Sequence, residues 1–341
     1  MIDGARYLAA VRESAKGKPR EFTEMVLVIP DQETGQLVPM RYNANQEWFY
    51  ENTWGTIEEF NESWAAALVK GRKDTATSGS DSWAFSICYC RPNTHGLVLA
   101  DSDESNVESQ RNWDLWWNNI PERILVGKDE NGREIWVTRT MKGSPWNTER
   151  RTFSFGRIDA AGQYQEEATS SCTFTSVRSI RTGLGKSFDF FIWHEAGKSD
   201  AEMSKTAMAN IVSGLPQRCK RFYEGTPDFT QGQRSPLYAL YQGMKSGRLP
   251  GRALMRYWFL NQYNRLGVGE WRASRERLGE EFKLLPEEER LLLHAEWPLL
   301  SHAEMFDMMR WRDWKVREFE GTPEAAGRHD LGRGDPGRNE R

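Results

Sequence analysis

Cysteine is scarce in this 341-residue chain, with only Cys88, Cys90, Cys172 and Cys219. Cys88 and Cys90 fall at the end of a helix-like stretch, where positions two apart do not share a face. That is poor geometry for a metal site, even with His95 nearby. The four read as free, reduced thiols of a cytoplasmic protein. Long apolar runs are missing as well, and no stretch approaches the ~20 apolar residues that cross a bilayer. The opening 22 residues lack the apolar core and small-residue cleavage site of a secretory signal. An excess of positive charge is also absent: the net charge of −3 excludes a wholesale basic protein, so nucleic-acid contact has to come from local patches.

What is present in quantity is tryptophan, 15 in all. These residues are scattered along the chain and read as core and interface fillers. The length allows one large α/β domain, or a core domain with a smaller appendage. Residues 1–40 are polar apart from the strand-like run Glu24–Pro30 and look like an N-terminal appendage. Thr56-Ile57-Glu58-Glu59 fits a capping box, which predicts a short helix with Ile57, Phe60 and Trp64 on its apolar face.

The apolar runs Ala66–Val69, His95–Ala100, Phe188–Trp193 and Arg221–Tyr223 predict buried strands of a largely parallel sheet. The third ends in His194-Glu195-Ala196, which puts a carboxylate at the sheet's carboxyl edge, where open α/β folds bind ligands. After the first comes Lys70-Gly71-Arg72-Lys73-Asp74-Thr75-Ala76-Thr77-Ser78-Gly79, a basic, hydroxyl-bearing loop leading into a helix. Backbone N–H groups at a helix start favour an anion, cations neutralise it and a hydroxyl can ligate Mg²⁺. The loop does not follow the strict G-x-x-x-x-G-K-[ST] form.

Between residues 103 and 120 a helix carrying Trp113, Trp116 and Trp117 should stop before Pro121, capped by Asp103 and Ser105. The cations of residues 123–180, among them Arg133, Arg139, Lys142, Arg150, Arg151 and Arg157, read as a solvated sheet face, with DNA phosphate contact the alternative. After Ser199-Asp200 a helix should place Met203, Ala207, Ile211 and Leu215 on a core-facing stripe. Further on, a helix over 236–246, a strand over 253–260 and charged helical stretches over about 271–294 and 302–319 are expected. A Gly/Arg-rich tail without apolar periodicity over 321–341 should be flexible.

Taken in chain order, these segments resemble the ATPase half of the large terminase subunit of tailed bacteriophages, the motor that packages DNA into proheads. The resemblance is carried by Gln46, the loop Lys70–Ser78, Leu99-Ala100-Asp101-Ser102-Asp103, Gly183-Leu184-Gly185, Phe191–Ala196 and Glu224-Gly225-Thr226-Pro227. Ser235–Tyr241, Tyr257–Leu260 and Ala295–Pro298 fit the same series. The order and spacing over roughly residues 40–320 carry it, rather than any single motif.

The resemblance implies a P-loop NTPase domain over 41–320, between the appendage at 1–40 and the tail at 321–341. It implies ATP and Mg²⁺ as cofactors, with Gln46 at the adenine and Lys70, Gly71, Arg72 and Lys73 at the phosphates. Thr77 would ligate Mg²⁺ in an arginine-anchored register and Ser78 in the ordinary one. Glu195 would polarise the attacking water, Thr226 would couple hydrolysis to motion, and Arg181 is the first choice for a trans-acting arginine. The implied partners are double-stranded DNA, portal protein and a small terminase subunit. The chain would work as a homo-oligomeric ring docked transiently on the prohead in the host cytoplasm, away from membranes and absent from the mature virion.

Two positions depart from the family pattern. Thr75 stands where the loop glycine is expected, and a β-branched residue resists positive φ. His194 stands where an aspartate is usual, and a neutral imidazole is a poor neighbour for hydrated Mg²⁺. A catalytically degenerate module that binds DNA or packaging proteins without ATP turnover is therefore the alternative, and helicase-like ATP use is a third. The ribonuclease-H-like nuclease half of the family has no counterpart here, since Asp330 and Asp335 lack flanking apolar strands, and no nuclease activity is expected of these residues.

Overall fold

In a computed structural model of the chain, the described residues are 4–31, 34–42, 44–70, 76–128, 130–132, 134–138, 141–143, 150–159, 161–177, 187–199, 208, 211, 215–227 and 232–256. They all belong to one unit, Met1–Trp297. In chain order the elements are α1 (Gly4–Ala15), α2 (Arg20–Val26), β1 (Val28–Pro30), β2 (Leu37–Pro39), α3 (Ala44–Asn52), β3 (Trp64–Lys70), α4 (Ala76–Cys90), β4 (His95–Ala100) and α5 (Asp103–Asn119). There follow β5 (Arg123–Lys128), β6 (Glu134–Thr138), β7 (Met141–Gly143), β8 (Arg150–Ile158), β9 (Tyr164–Ser176), β10 (Phe190–Trp193), β11 (Lys220–Gly225), α6 (Pro236–Lys245) and β12 (Arg252–Arg256).

The central sheet has eight strands in the order β12-β3-β11-β10-β4-β9-β8-β7. From β12 to β9 every pairing is parallel, while β8 and β7 extend the sheet as an antiparallel hairpin edge. The chain leaves β3 over α4 and lays down β4 three places away; β10 and β11 later fill the gap. The carboxyl ends of β3, β11 and β10 are thereby side by side, at a crossover of the kind where open α/β sheets take ligands.

The strand sequences explain why both faces are covered. Along β10, Phe190 and Ile192 enter one core cluster while Phe191 and Trp193 enter another, as the two-residue alternation of a strand requires. All four side chains are fully buried, so a continuous apolar run rather than an alternating one was the correct signature. The first cluster takes in α1, α2, α3, α4 and α5, including a stacked Trp54–Trp83 pair with centroids 4.1 Å apart. The second lies under α6 and includes Leu237, Tyr241 and Met244. Gly96 on β4 leaves room for Phe190, since a Cβ there would lie 1.9 Å from that ring.

Several expectations are met within a residue or two, among them β4, α5, β10, β11 and α6. Others are corrected. No helix follows Thr56: the chain makes a short 3₁₀ turn over Trp54–Thr56, and the Thr56 hydroxyl accepts from Trp64 Nε1 at 3.0 Å. Ile57 and Phe60 are buried from irregular chain, and Trp64 opens β3. The run Glu24–Pro30 is mostly the end of α2, with only Val28–Pro30 extended. The N-cap of α5 is Ser102, which accepts from the Ser105 N–H at 3.4 Å.

The arginines at the hairpin edge are not a uniformly solvated face. Arg151 is buried and donates from Nε and one Nη to the two oxygens of Asp114 at 2.8 and 3.0 Å, tying β8 to α5. Arg150 donates to the Ser171 hydroxyl at 2.9 Å, and Arg157 pairs with Glu167 at 3.1 Å. Arg133 and Arg139 lie outside the described residues. All four cysteines are buried and free of disulfides. Among the described residues no helix is long and apolar enough to cross a membrane.

Candidate functional site at the carboxyl edge of the sheet

Lys70 is the last residue of β3 and is buried at the carboxyl edge. Its Nζ lies 3.4 Å from Glu195 Oε1, just beyond β10, and 3.5 Å from Glu224 Oε2 on β11. The second oxygen of Glu195 is 3.1 Å from Lys198 Nζ. Burial works against the Glu195 carboxylate, but Lys70 and Lys198 outweigh it and hold its pKa down at about 2. At neutral pH it is therefore an anion, with its side chain 20% exposed.

Above this edge sits α4, in which Thr77 and Asp81 are four residues apart and share a face. Thr77 donates its hydroxyl to Glu224 Oε1 at 2.7 Å. Asp81 Oδ1 lies 3.0 Å from His194 Nε2, and His194 Nδ1 lies 2.6 Å from the same Glu224 Oε1. Burial alone would lower the His194 pKa, yet Asp81 and Glu224 raise it to about 10. The ring is an imidazolium that donates from both nitrogens. Burial likewise opposes the charge of Glu224, but Lys70 and His194 keep its pKa below the ordinary value. Three cations (Lys70, His194, Lys198) thus face three carboxylates (Asp81, Glu195, Glu224), which is how charges of this density are tolerated in a core.

The backbone here is tightly specified. Glu195 has φ of +53°, a left-handed conformation that costs a non-glycine residue about 1–2 kcal/mol. It turns the chain out of β10, and Ala196 N–H then donates to the Glu224 carbonyl at 2.9 Å. The loop crosses the end of β11 so closely that a Cβ on Gly197 would lie 2.0 Å from the Thr226 carbonyl oxygen. A Cβ on Gly225 would in turn lie 2.8 Å from Gly197 N. Glycines at 197 and 225 are what allow Glu195 and Thr226 to share one corner.

Of the residues singled out from the sequence, the fold brings Lys70, Thr77, His194 and Glu195 together, around Glu224. Thr226 is buried beside them, and its hydroxyl has no hydrogen-bond partner among the described residues. Ser78 is next to Thr77 at the start of α4 and is part-exposed. Gln46 is buried on α3, one turn before Phe49, whose ring packs 3.4 Å from the position of a Cβ on Gly79. Gly71, Arg72, Lys73, Thr75 and Arg181 lie outside the described residues.

His194 cannot serve as a metal ligand in this arrangement, because both ring nitrogens face carboxylates. It is also not the neutral ring expected. Asp81, Lys198 and Glu224 were missed as site residues, Glu224 being visible only as part of a turn motif. The four-residue spacing from Thr77 could have drawn attention to Asp81, whereas Lys198 carried no signal.

The donor set fits a magnesium–nucleotide rather than a chelated ion. Among the described residues no group of three or more His, Cys, Asp or Glu side chains could hold a metal. What is present is a hydroxyl at the start of a helix, plus buried carboxylate oxygens, Asp81 Oδ2 and Glu224 Oε2, that accept no hydrogen bond among the described residues. Mg²⁺ ordinarily keeps several waters and uses few protein ligands alongside phosphates, so a single helix-start hydroxyl suits it.

Strand order and edge chemistry together define a P-loop-type α/β fold with the site at its carboxyl edge. Solved structures agree. A variant of the Thermus phage P74-26 large terminase ATPase domain is similar with a TM-score of 0.51 and 15% sequence identity, over 79% of this chain and 99% of that one. The large terminase of bacteriophage HK97 is similar with a TM-score of 0.55 and 15% identity, over 87% of this chain and 56% of that one. The fold is therefore that of the ATPase domain of large terminases, and the chain spans little more than half the length of the HK97 protein. No protein-family model matches the sequence, and no curated protein matches it.

Proposed function

We propose that this chain is the ATP-hydrolysing part of a viral DNA-packaging motor, translocating double-stranded DNA into a prohead. One observation carries the reading: on a terminase-type sheet, an ionised glutamate, a buried lysine and a helix-start hydroxyl meet at the carboxyl edge. Phosphoryl transfer needs little covalent chemistry from a protein and depends on positioning and charge. Glu195 has the ionised carboxylate needed to orient a water for in-line attack, and its side chain is partly exposed. Thr77 would hold the metal, and bound Mg²⁺ would neutralise charge on the phosphates. Arg72, with Lys73, would bind the phosphates from the loop after β3, and Gln46 the adenine. Thr226, pressed against the loop carrying Glu195, would pass the state of the site to the parts that grip DNA, and Arg181 would act in trans. DNA, a portal, a small terminase subunit and a ring of copies are the partners this reading requires.

A second reading is favoured by the chain Thr77–Glu224–His194–Asp81, which engages the hydroxyl and replaces the usual aspartate: a module that has kept the fold and lost turnover. Phosphate release from ATP with Mg²⁺, double-stranded DNA and portal present separates the two. DNA-stimulated turnover supports the motor, and nucleotide binding without turnover supports the second reading. Neither binding nor turnover overturns both.

A further inference from the structure

The family pattern has an aspartate (the Walker B aspartate) next to the strand-end glutamate, and here that place is taken by His194, whose ring nitrogens lie 2.6 Å from Glu224 Oε1 and 3.0 Å from Asp81 Oδ1. The hydroxyl at the start of α4 is nevertheless joined to a carboxylate, which comes from the neighbouring strand. Thr77 Oγ1 reaches Glu224 Oε1 at 2.7 Å across 147 positions of sequence. Glu224 is completely buried, and its second oxygen lies 3.5 Å from Lys70 Nζ and accepts no hydrogen bond among the described residues. The β10–β11 pairing sets Trp193 against Tyr223, so His194 and Glu224 are the next residues of adjacent strands and face each other at the same level of the edge. His194 then spans from Glu224 to Asp81, one turn along α4 from Thr77, which makes a chain of four side chains, Thr77–Glu224–His194–Asp81.

We infer that Glu224 on β11 has taken over the work of the missing Walker B aspartate, positioning the Thr77 hydroxyl for magnesium–nucleotide, and that His194 and Asp81 serve to hold Glu224 in place. The inference rests on the nucleotide-site reading above and sharpens it. A histidine where an aspartate is usual then marks a relocated carboxylate rather than a lost one. Glu224 is a positioning residue, acting on the metal site through Thr77.

The test is binding of a fluorescent ADP analogue to the full chain, with Mg²⁺ and with chelator, for wild type, Glu224→Gln, His194→Asp and the double variant. Outer-shell partners of metal sites typically contribute about 10–100-fold in metal affinity. Glu224→Gln should weaken the Mg²⁺ dependence of binding by that factor and leave affinity in chelator unchanged. The double variant, with an aspartate restored at 194, should recover most of the loss. Should Glu224→Gln not fold, Glu224→Asp keeps the buried charge, withdraws the carboxylate by one methylene and should show the same selective loss. Unchanged Mg²⁺ dependence in these variants overturns the inference and leaves the nucleotide site standing. Equal loss with and without Mg²⁺ also overturns it, because the role is then purely structural. Absence of any binding by wild type overturns the site reading itself.

Discussion

Lys70 and Glu195 are 125 positions apart in sequence, and the lysine nitrogen lies 3.4 Å from the glutamate oxygen at the meeting of β3 and the loop after β10. Lys70 is also within 3.5 Å of Glu224, so one buried cation holds two carboxylates that would otherwise repel across the site. Removing it leaves both anions under-compensated. Lys70→Met should cost about 3 kcal/mol, the scale found when one partner of a buried ion pair is removed, measured by denaturant unfolding. The acid limb of any pH–activity profile should move upward as Glu195 loses its largest favourable neighbour.

The crossing of two backbones at Gly197 and Thr226 makes a second prediction. Gly197→Ala places a methyl group 2.0 Å from the Thr226 carbonyl oxygen, a backbone atom that cannot swing aside as a side chain would. Overpacking of this kind costs about 1–3 kcal/mol. The destabilisation should be accompanied by loss of ATP turnover, because the displaced loop carries Glu195. A variant that keeps both stability and turnover would show the corner to be looser than described.

His194 predicts a pH dependence of stability. Its folded pKa of about 10 is above the ordinary 6.5, so the folded state binds the proton more tightly. Its contribution to stability is fully present below pH 6.5 and is lost as pH rises through about 10. The difference in unfolding free energy between wild type and His194→Asn should therefore narrow steadily over that window. Glu195 works with the opposite sign, since its contribution is present above pH 4.5 and lost as pH falls towards about 2.

Away from the site, Arg151 and Asp114 join the hairpin edge to α5 through two hydrogen bonds. Bonds to charged groups contribute about 1.5–3 kcal/mol, so Arg151→Ala should destabilise by roughly that amount in thermal or denaturant unfolding. DNA binding should be unaffected at equal folded concentration, because this guanidinium is committed inside the chain.

The sheet was legible because buried parallel strands leave continuous apolar runs, as in Phe190–Trp193 and Ala66–Val69, and because such strands end at polar residues. Glu195 and Lys70 were legible for the same reason. The capping box at Thr56 misled, since its hydroxyl is used by Trp64 and the apolar residues at helical spacing are buried without a helix. Glu224 was visible only as part of a turn motif. Its place between Lys70, Thr77 and His194 follows from β11 being inserted between β3 and β10, a strand order that no local pattern encodes. The meaning of His194 was hidden by the same fact, because its partner Glu224 is 30 positions away.

The central claim is that Glu195 performs the hydrolytic step at this edge. Its most direct test is single-turnover ATP hydrolysis by wild type and Glu195→Gln, with Mg²⁺ and double-stranded DNA, alongside nucleotide affinity for both. A positioned general base contributes about 10²–10⁴-fold, so the substitution should slow hydrolysis by at least ~100-fold and leave nucleotide affinity unchanged. Equal rates in the two proteins, or no hydrolysis by wild type, would contradict the account.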